Sequence, residues 1–436
     1  MYVPRTSFAL MALAGLGILA FAQDTPMFRG DLVHSGVYAA KGAPSLHGVK
    51  WSFHTEGEVI SSPAIVAGVV YVGSTDGNLY AIDQQSGALR WKLQTGGRIP
   101  SSPAVANGLV YFGSYNGNFY AVDVTTGKMK WKFHNAERRF AGRHLHGSFP
   151  VDEMMPDPFD VYLSSPVVWK DAVYFGSGDG NVYSLDAATG ALMWKFQTGD
   201  VVHASPAIAD AKLYIGSWDS YFYALDAASG KELWRFKTGE DADTHNQVGI
   251  QSSATVANGI VYFGCRDSKL YAVDAATGRQ RWAFSNNGSW VITSPVVHDG
   301  KVYFATSDTA TFYALDAQTG ASDYSLKFHW VIFASPAIAG NTLYLAGQDG
   351  KLVAIDLVAR KPAWEFQTEA SRKNLASLSK ADGAPNYEAV FASNFYDDMI
   401  VGVHTLQAVG PILASPVVAE DVVYVGSADG NLYALN

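Results

Sequence analysis

An all-β fold of eight four-stranded sheets, closed into a ring, is what the sequence predicts, and three observations predict it. A unit of roughly 40 residues recurs along most of the chain. Its opening occurs eight times, but its closing aromatic only seven times downstream of an opening. The missing close stands at the other end of the chain, at Trp51 and Phe53.

The unit opens on Ser-Ser-Pro and runs through an apolar stretch ending Tyr-x-Gly-Ser. A turn, Asn-x-Tyr-Ala-x-Asp, a Gly and a Trp follow. In the first copy these are Ser61, Ser62, Pro63, Tyr71, Gly73, Tyr80, Asp83, Gly87 and Trp91. Openings fall at Pro63, Pro103, Pro166, Pro206, Ala254, Pro295, Pro336 and Pro416. Closes fall at Trp91, Trp131, Trp194, Trp234, Trp282, Tyr324 and Trp364.

Each unit reads as four short strands. The first follows Ser-Pro, the second covers Val69–Gly73 and the third 79–82 in the first copy. Asp76-Gly77 joins the latter two, because Gly accepts the positive φ that a tight hairpin demands. Both of these strands are apolar on each face, as a sheet sandwiched between two others requires. The fourth alternates Leu89, Trp91 and Leu93 with Arg90, Lys92 and Gln94, which gives it one wet side. The last unit stops at Asn436, before its fourth strand. Residues 49–55 repeat the Trp-x-Phe spacing of Trp131 and Phe133, so they are expected to complete the eighth sheet. The result is an eight-bladed β-propeller with its ring closed by an N-terminal strand.

Composition agrees. Gly is abundant at 42, Tyr and Phe number 23 each and charged residues make up only 16%, a mix suited to many short strands and tight turns. A net charge of −9 argues against nucleic acid. Arg5, an apolar run over 8–19 and the small-x-small triplet Ala20-Phe21-Ala22 read as a signal peptide over 1–22. Residues 23–47 are then an N-terminal extension, and 48–436 the propeller. The run is too short for a membrane span and no other stretch would serve as a transmembrane anchor. The protein is expected to be a periplasmic or secreted monomer. Cys265 is the only cysteine, so no internal disulfide can form, and none stands beside the cleavage site for lipidation.

Antiparallel strands divide the loops of a blade between two faces. Connections between blades share one face, the top, with the second-to-third turns. All three long insertions, 134–160, 239–250 and 369–410, lie between blades and so project from the top. Long connections grouped on one face of a rigid scaffold build binding sites.

The residue before each Ser-Ser-Pro or its stand-in is Ile60, Pro100, Leu163, His203, Gln251, Ile292, Phe333 or Leu413. Only His203 and Gln251 are polar, on adjacent blades. At the matching hairpin position stand Thr75, Tyr115, Gly178, Trp218, Arg266, Ser307, Gln348 and Ala428, where Trp218 and Arg266 depart most. Trp290 and Thr293 enter from the next blade, and Asp219, Asp267 and Asp308 lie near the same mouth. These nine residues form a candidate site for a small polar or anionic ligand or a peptide segment. Arg266 would pair with a carboxylate, Trp218 or Trp290 would offer a stacking face, and His203 and Gln251 would hydrogen-bond. The competing interpretation is that they fill a loop interface.

Other clusters weigh less. His144 and His146, with Asp152, Glu153 and Asp157 nearby, have the residue types of a metal site, but Phe149, Pro150, Met154, Met155, Pro156, Pro158 and Phe159 equally suit a folded-over lid. The repeated Asp-Gly-Asn turns (Asp76, Asp179, Asp429) lack calcium-loop spacing. The repeated Trp residues read as packing between blades, and Cys265 as a small buried residue.

The spacing Ala-x-Asp-x-x-x-Gly-x-x-x-Trp, seen at Ala224, Asp226, Gly230 and Trp234, resembles the pyrroloquinoline-quinone-type (PQQ-like) propeller repeats over about residues 48–436. That resemblance implies the propeller fold. It also implies one of several roles, since the family holds quinoprotein dehydrogenases, BamB-type scaffolds of outer-membrane assembly and sensor domains. The preferred expectation is a non-catalytic envelope binding or scaffold protein without cofactor, taking an envelope protein or peptide segment, or a small anionic ligand. The alternative is a PQQ-dependent dehydrogenase, with calcium and the quinone in the top channel and an Asp as base. Such enzymes carry an adjacent cysteine pair over the quinone, which a single cysteine cannot supply, and the inner ring position is mostly apolar. The chain departs from the BamB type in lacking a lipidation cysteine and in its long insertions.

Overall fold

The computed structural model describes residues 24–135, 140, 142–143, 149–150, 153, 155–239, 249–286 and 288–436. The expected signal peptide, His144, His146, Asp152 and most of insertion 239–250 lie outside the described residues. Eight four-stranded antiparallel sheets follow one another around an axis. Blades 1 to 7 occupy 64–94, 104–134, 167–197, 207–237, 255–285, 296–327 and 337–367. Blade 8 takes three strands from 417–435 and its outermost from Val49–His54, with Trp51 opposite Ala434 and Phe53 opposite Leu432. The closure expected from Trp51 and Phe53 is therefore present.

The repeat residues each have a mechanical task. The second serines form a ring of hydrogen bonds around the axis. Ser62 N–H donates to Ser102 Oγ at 3.0 Å, and the pattern continues through Ser165, Ser205, Ser253, Ser294, Ser335 and Ser415. Ser415 N–H then returns to Ser62 Oγ at 2.9 Å. Each bond ties the inner strand of one blade to the next, and each contributes about 1 kcal/mol net. At the periphery, the closing Trp residues of blades 1 to 5 and of blade 8 reach the following blade, while Trp364 of blade 7 donates to Ala43 O in the N-terminal extension at 2.8 Å. Trp194 Nε1 donates to Ala227 O at 3.1 Å and its ring lies under Gly230, where a Cβ would meet it at 2.6 Å. Only Gly fits there, since its φ is also +71°.

The described part of the N-terminal extension covers the bottom face. Thr25 pairs with Ile65, Pro26 O accepts from Val105 N–H, Leu32 O from Ile208 N–H and Val33 O from Val256 N–H. Val37–Tyr38 adds a parallel strand beside Ala337–Ala339. Between these ties, Phe28 closes the axial channel from below and Arg29 is fully buried. Its guanidinium donates to His34 O at 3.0 Å, Pro336 O at 3.3 Å and Pro295 O at 2.6 Å. Burial and the Arg29 charge hold the His34 imidazole neutral, its pKa pushed down to about 3.

Insertion 369–410 forms three helices: α1 (Glu369–Leu378), α2 (Tyr387–Val390) and α3 (Tyr396–Gln407). Thr368 caps α1, its Oγ1 accepting from Ser371 N–H at 3.1 Å. This insertion and the described part of 134–160 both lie on the top face, as the loop argument requires, and they join there. Phe149 and Phe395 form a bridge, with Phe149 N–H donating to Asn394 O at 2.8 Å and Tyr396 N–H to Phe149 O at 2.9 Å. No helix among the described residues is long and apolar enough to cross a membrane.

Candidate functional site

Residues 156–162 run across the top mouth of the ring. Met155–Pro156 pairs with Gly142–Arg143, the chain then turns at Asp157–Asp160 about Pro158, with Asp160 N–H donating to Asp157 O at 3.2 Å, and the side chains of the turn drop into the sector that the repeat comparison singled out. Arg266 projects from the hairpin of blade 5 and its guanidinium binds both oxygens of Asp157, Nη1 to Oδ2 and Nη2 to Oδ1 at 3.4 Å. Both side chains are buried. Trp290 and Trp218 flank the guanidinium, their ring centroids 3.6 and 4.6 Å from its central carbon. A planar cation between two indoles, facing a carboxylate, is a specific anion seat.

Three residues further on, Asp160 meets His203. His203 Nδ1 lies 2.6 Å from Asp160 Oδ1, and neither side chain touches water. Gln251 Nε2 donates to Phe159 O at 2.9 Å, Tyr115 hydroxyl to Val161 O at 3.1 Å, and Tyr162 hydroxyl to Leu413 O at 3.1 Å. The Phe159 ring packs edge-on against Trp290 and Phe333, with centroids 5.5 and 6.1 Å away. So the structure brings His203, Trp218, Gln251, Arg266 and Trp290 together, around a segment of the chain itself. Of the aromatics in 149–159, Phe149 meets Phe395 and Phe159 meets Trp290.

The other four expected residues do different things. Asp219 serves its own hairpin, accepting from Tyr223 hydroxyl at 2.7 Å and Gly199 N–H at 2.7 Å. Asp267 accepts from Tyr271 hydroxyl, and burial raises its carboxyl above the usual range. Thr293 replaces a first serine of the repeat, its Oγ1 donating to Ala305 O at 2.7 Å and accepting from Ala305 N–H. Asp308 reaches water at the wall of a neighbouring cavity, where the dense surroundings raise its pKa. Tyr115, Asp160, Tyr162 and Phe333 belong to the site but were not singled out as site residues. The doublet Asp157 and Asp160, flanking Pro-Phe, was their only sequence signal.

Two cavities flank the crossing segment beneath α3. One, of about 470 Å³, lies toward blades 1 and 2, with Glu58, Arg98, Asp157, Asp160 and His404 in its wall. Burial raises the Glu58 carboxyl, opposed by Arg98 and His404. The other, of about 310 Å³, is mostly apolar, lined by Phe159, Trp290, Phe333, Phe391 and Leu413 with Asp308 at one side. On the axis below, the serine ring encloses only about 40 Å³.

These residues are a poor match to PQQ. The axial space holds a few waters at most. The larger cavity sets three carboxylates and one arginine against a quinone that itself carries three carboxylates. Among the described residues no three His, Cys, Asp or Glu converge on a metal-sized space. Cys265 is fully buried, its thiol pushed far up by burial and Asp267, so it is not a nucleophile.

A family model described as outer membrane protein assembly factor BamB matches residues 46–150, 162–285 and 248–436. No curated protein matches the sequence. Among solved structures, BamB from Moraxella catarrhalis superposes with a TM-score of 0.63 at 17% identity, covering 89% of this chain and 97% of that one. Quinohemoprotein alcohol dehydrogenase from Comamonas testosteroni gives 0.70 at 14% identity, with 95% and 80% covered. A europium-containing methanol dehydrogenase gives 0.67 at 15%, with 95% and 98% covered. At these identities the likeness to solved structures is one of fold.

Proposed function

Because the chain belongs to the BamB-type family of β-propellers, we propose that it is an exported, non-catalytic binding or scaffold protein of the cell envelope that receives a protein partner on its top face. One observation carries this: the elaboration beyond the repeat is divided between a sealed bottom and a built-up, apolar-studded top. Insertions 134–160 and 369–410 interlock through Phe149 and Phe395, and their joint surface leaves Phe149, Phe395 and Val401 exposed, the last two at 60%. Exposed aromatic and branched residues on a rigid platform are the ordinary anchors of a protein interface.

The test is site-specific photo-cross-linking in cells of the source organism. A photoreactive residue at Phe395 or Val401 should trap a discrete envelope protein. The same residue at Val358, exposed at 75% in a bottom-face turn of blade 7, should trap none. Equal trapping from both faces, or none from either, would reject the assignment. The quinoprotein alternative has its own check. PQQ with calcium should leave the melting temperature and the visible spectrum unchanged, and a new absorption band would move the protein to the dehydrogenases.

A further inference from the structure

We propose that the pocket around Arg266 is a recognition site for an acidic turn-forming peptide bearing an aromatic residue, supplied by the partner, and that residues 156–162 occupy it in cis as a stand-in. The inference rests on the top-face reading above and names the chemistry that this face selects.

The stand-in defines the ligand. Asp157 fills the Arg266 seat between two indoles, Phe159 fills the slot between Trp290 and Phe333, and Asp160 binds His203. Gln251 and Tyr115 hold backbone carbonyls at Phe159 and Val161, which are contacts any peptide can make. The pattern is Asp, then an aromatic two residues on, then Asp again, in a β-turn that Pro158 favours, with Asp160 N–H donating to Asp157 O at 3.2 Å. A phosphate would use neither the aromatic slot nor the side-chain donors that Gln251 and Tyr115 aim at backbone carbonyls.

The propeller itself does not require this sector. Equivalent hairpin positions on other blades carry Thr75, Gly178 or Ala428, and equivalent inner-ring positions are apolar. Trp218, Arg266, His203 and Gln251 are departures confined to two adjacent blades, so they serve an occupant rather than the ring.

Two observations mark the cis occupant as exchangeable. First, it leaves the pocket incompletely satisfied. Arg266 Nε, His203 Nε2, Gln251 Oε1 and Trp290 Nε1 are buried and have no hydrogen-bond partner among the described residues. A permanent element would be expected to satisfy them, because each unmet group opposes burial. Second, the segment is unsupported at its sides. The cavities of about 470 and 310 Å³ lie on either side of it and share Pro158 and Val161 as their wall. It is held by its anchors, and a longer or bulkier peptide has room to take its place.

A fluorescein-labelled peptide copying residues 155–163, Met-Pro-Asp-Pro-Phe-Asp-Val-Tyr-Leu, is the probe, titrated against the full chain by fluorescence polarisation. The double variant Asp157→Asn, Asp160→Asn weakens the stand-in and should bind the peptide at least tenfold more tightly than the unmodified chain. Adding Arg266→Gln should abolish that gain, as should replacing the first Asp of the peptide by Asn. Equal affinity of double variant and unmodified chain, or binding indifferent to Arg266→Gln, overturns the proposal. So does a swapped dimer in which a second copy of 156–162 fills the pocket.

Should the double variant fail to melt cooperatively, hydrogen exchange in the unmodified chain decides. Saturating peptide should speed exchange of the Phe159 and Asp160 amides, and unchanged protection overturns the proposal. Loss of peptide binding with the Phe395 cross-link intact refutes the pocket alone. Loss of the cross-link with peptide binding intact refutes the platform alone.

Discussion

Asp349 sits where the hairpins of blades 1, 3, 4, 5 and 8 place an aspartate that accepts a hydrogen bond from the hydroxyl of Tyr four residues on, as Asp179 does from Tyr183 at 2.6 Å. In blade 7 that tyrosine is Val353, and α1 covers the turn, with Ser371 hydroxyl donating to Asp349 O at 2.6 Å. Without that tyrosine, and partly desolvated by its surroundings, the half-buried Asp349 carboxyl is pushed up to about 6. A folded-state pKa above the unfolded one means that the native state holds the proton more firmly between roughly pH 4 and 6. The stability this confers is complete below pH 4 and lost as pH rises through 6. Asp349→Asn keeps an acceptor for Lys351 N–H but does not titrate. We expect the unmodified chain to lose roughly 2 kcal/mol relative to this variant between pH 4 and 7. Urea titrations of both proteins across that range measure the difference, and parallel curves would contradict it.

At the scale of the element, the clasp between closing Trp and following Gly separates backbone strain from steric conflict. Gly68 and Gly230 have nearly the same φ, +73° and +71°, but a Cβ on Gly68 meets nothing within 4 Å while one on Gly230 strikes the Trp194 ring at 2.6 Å. Gly68→Ala should cost about 1 kcal/mol from strain alone. Gly230→Ala should cost about 1–3 kcal/mol more, because the indole must leave its place against the neighbouring blade. Equal losses in chemical denaturation would show that the clasp is slack. Blade 7 makes the comparison naturally. Tyr324 replaces the preceding Trp, and Arg360, at φ +58°, replaces the Gly and lays its guanidinium 5.2 Å from the tyrosine ring centroid.

Such periodic features were legible in sequence because they recur: Ser-Ser-Pro, Asp-Gly and Gly-x-x-x-Trp announce their partners by spacing alone. Non-periodic pairings were not. His203, Gln251 and Arg266 stood out as departures, yet nothing in the repeat identified Asp157 and Asp160 as their counterparts, since those come from an insertion more than 40 residues upstream that docks by tertiary packing. Asp219 and Asp267 looked like mouth residues from proximity, but their local turns claimed them. Arg29 and His34 gave no signal, because their partners are backbone carbonyls of distant strands.

For the whole molecule, closure depends on the strand Val49–His54 finding Asn431–Leu435 across nearly the full chain. Joining residues so remote in sequence carries a large loop-closure entropy, offset by one long antiparallel ladder and the burial of Trp51. Deleting residues 1–56 removes this strand and the bottom cover together. We expect the truncated chain to melt well below the complete one and to self-associate on size-exclusion chromatography, because blade 8 then exposes an unpaired edge. A monomer that melts cooperatively at the original temperature would mean that the ring closes without that strand.

The bottom cover has a further consequence for traffic. With Phe28 stoppering the lower end, the axial space is a blind socket rather than a tunnel. Whatever enters must leave by the doorway it came through, and residues 156–162 stand in that doorway. Guest and resident segment are then mutually exclusive occupants of one threshold, so the guest's on-rate has a ceiling set by how often the resident steps aside.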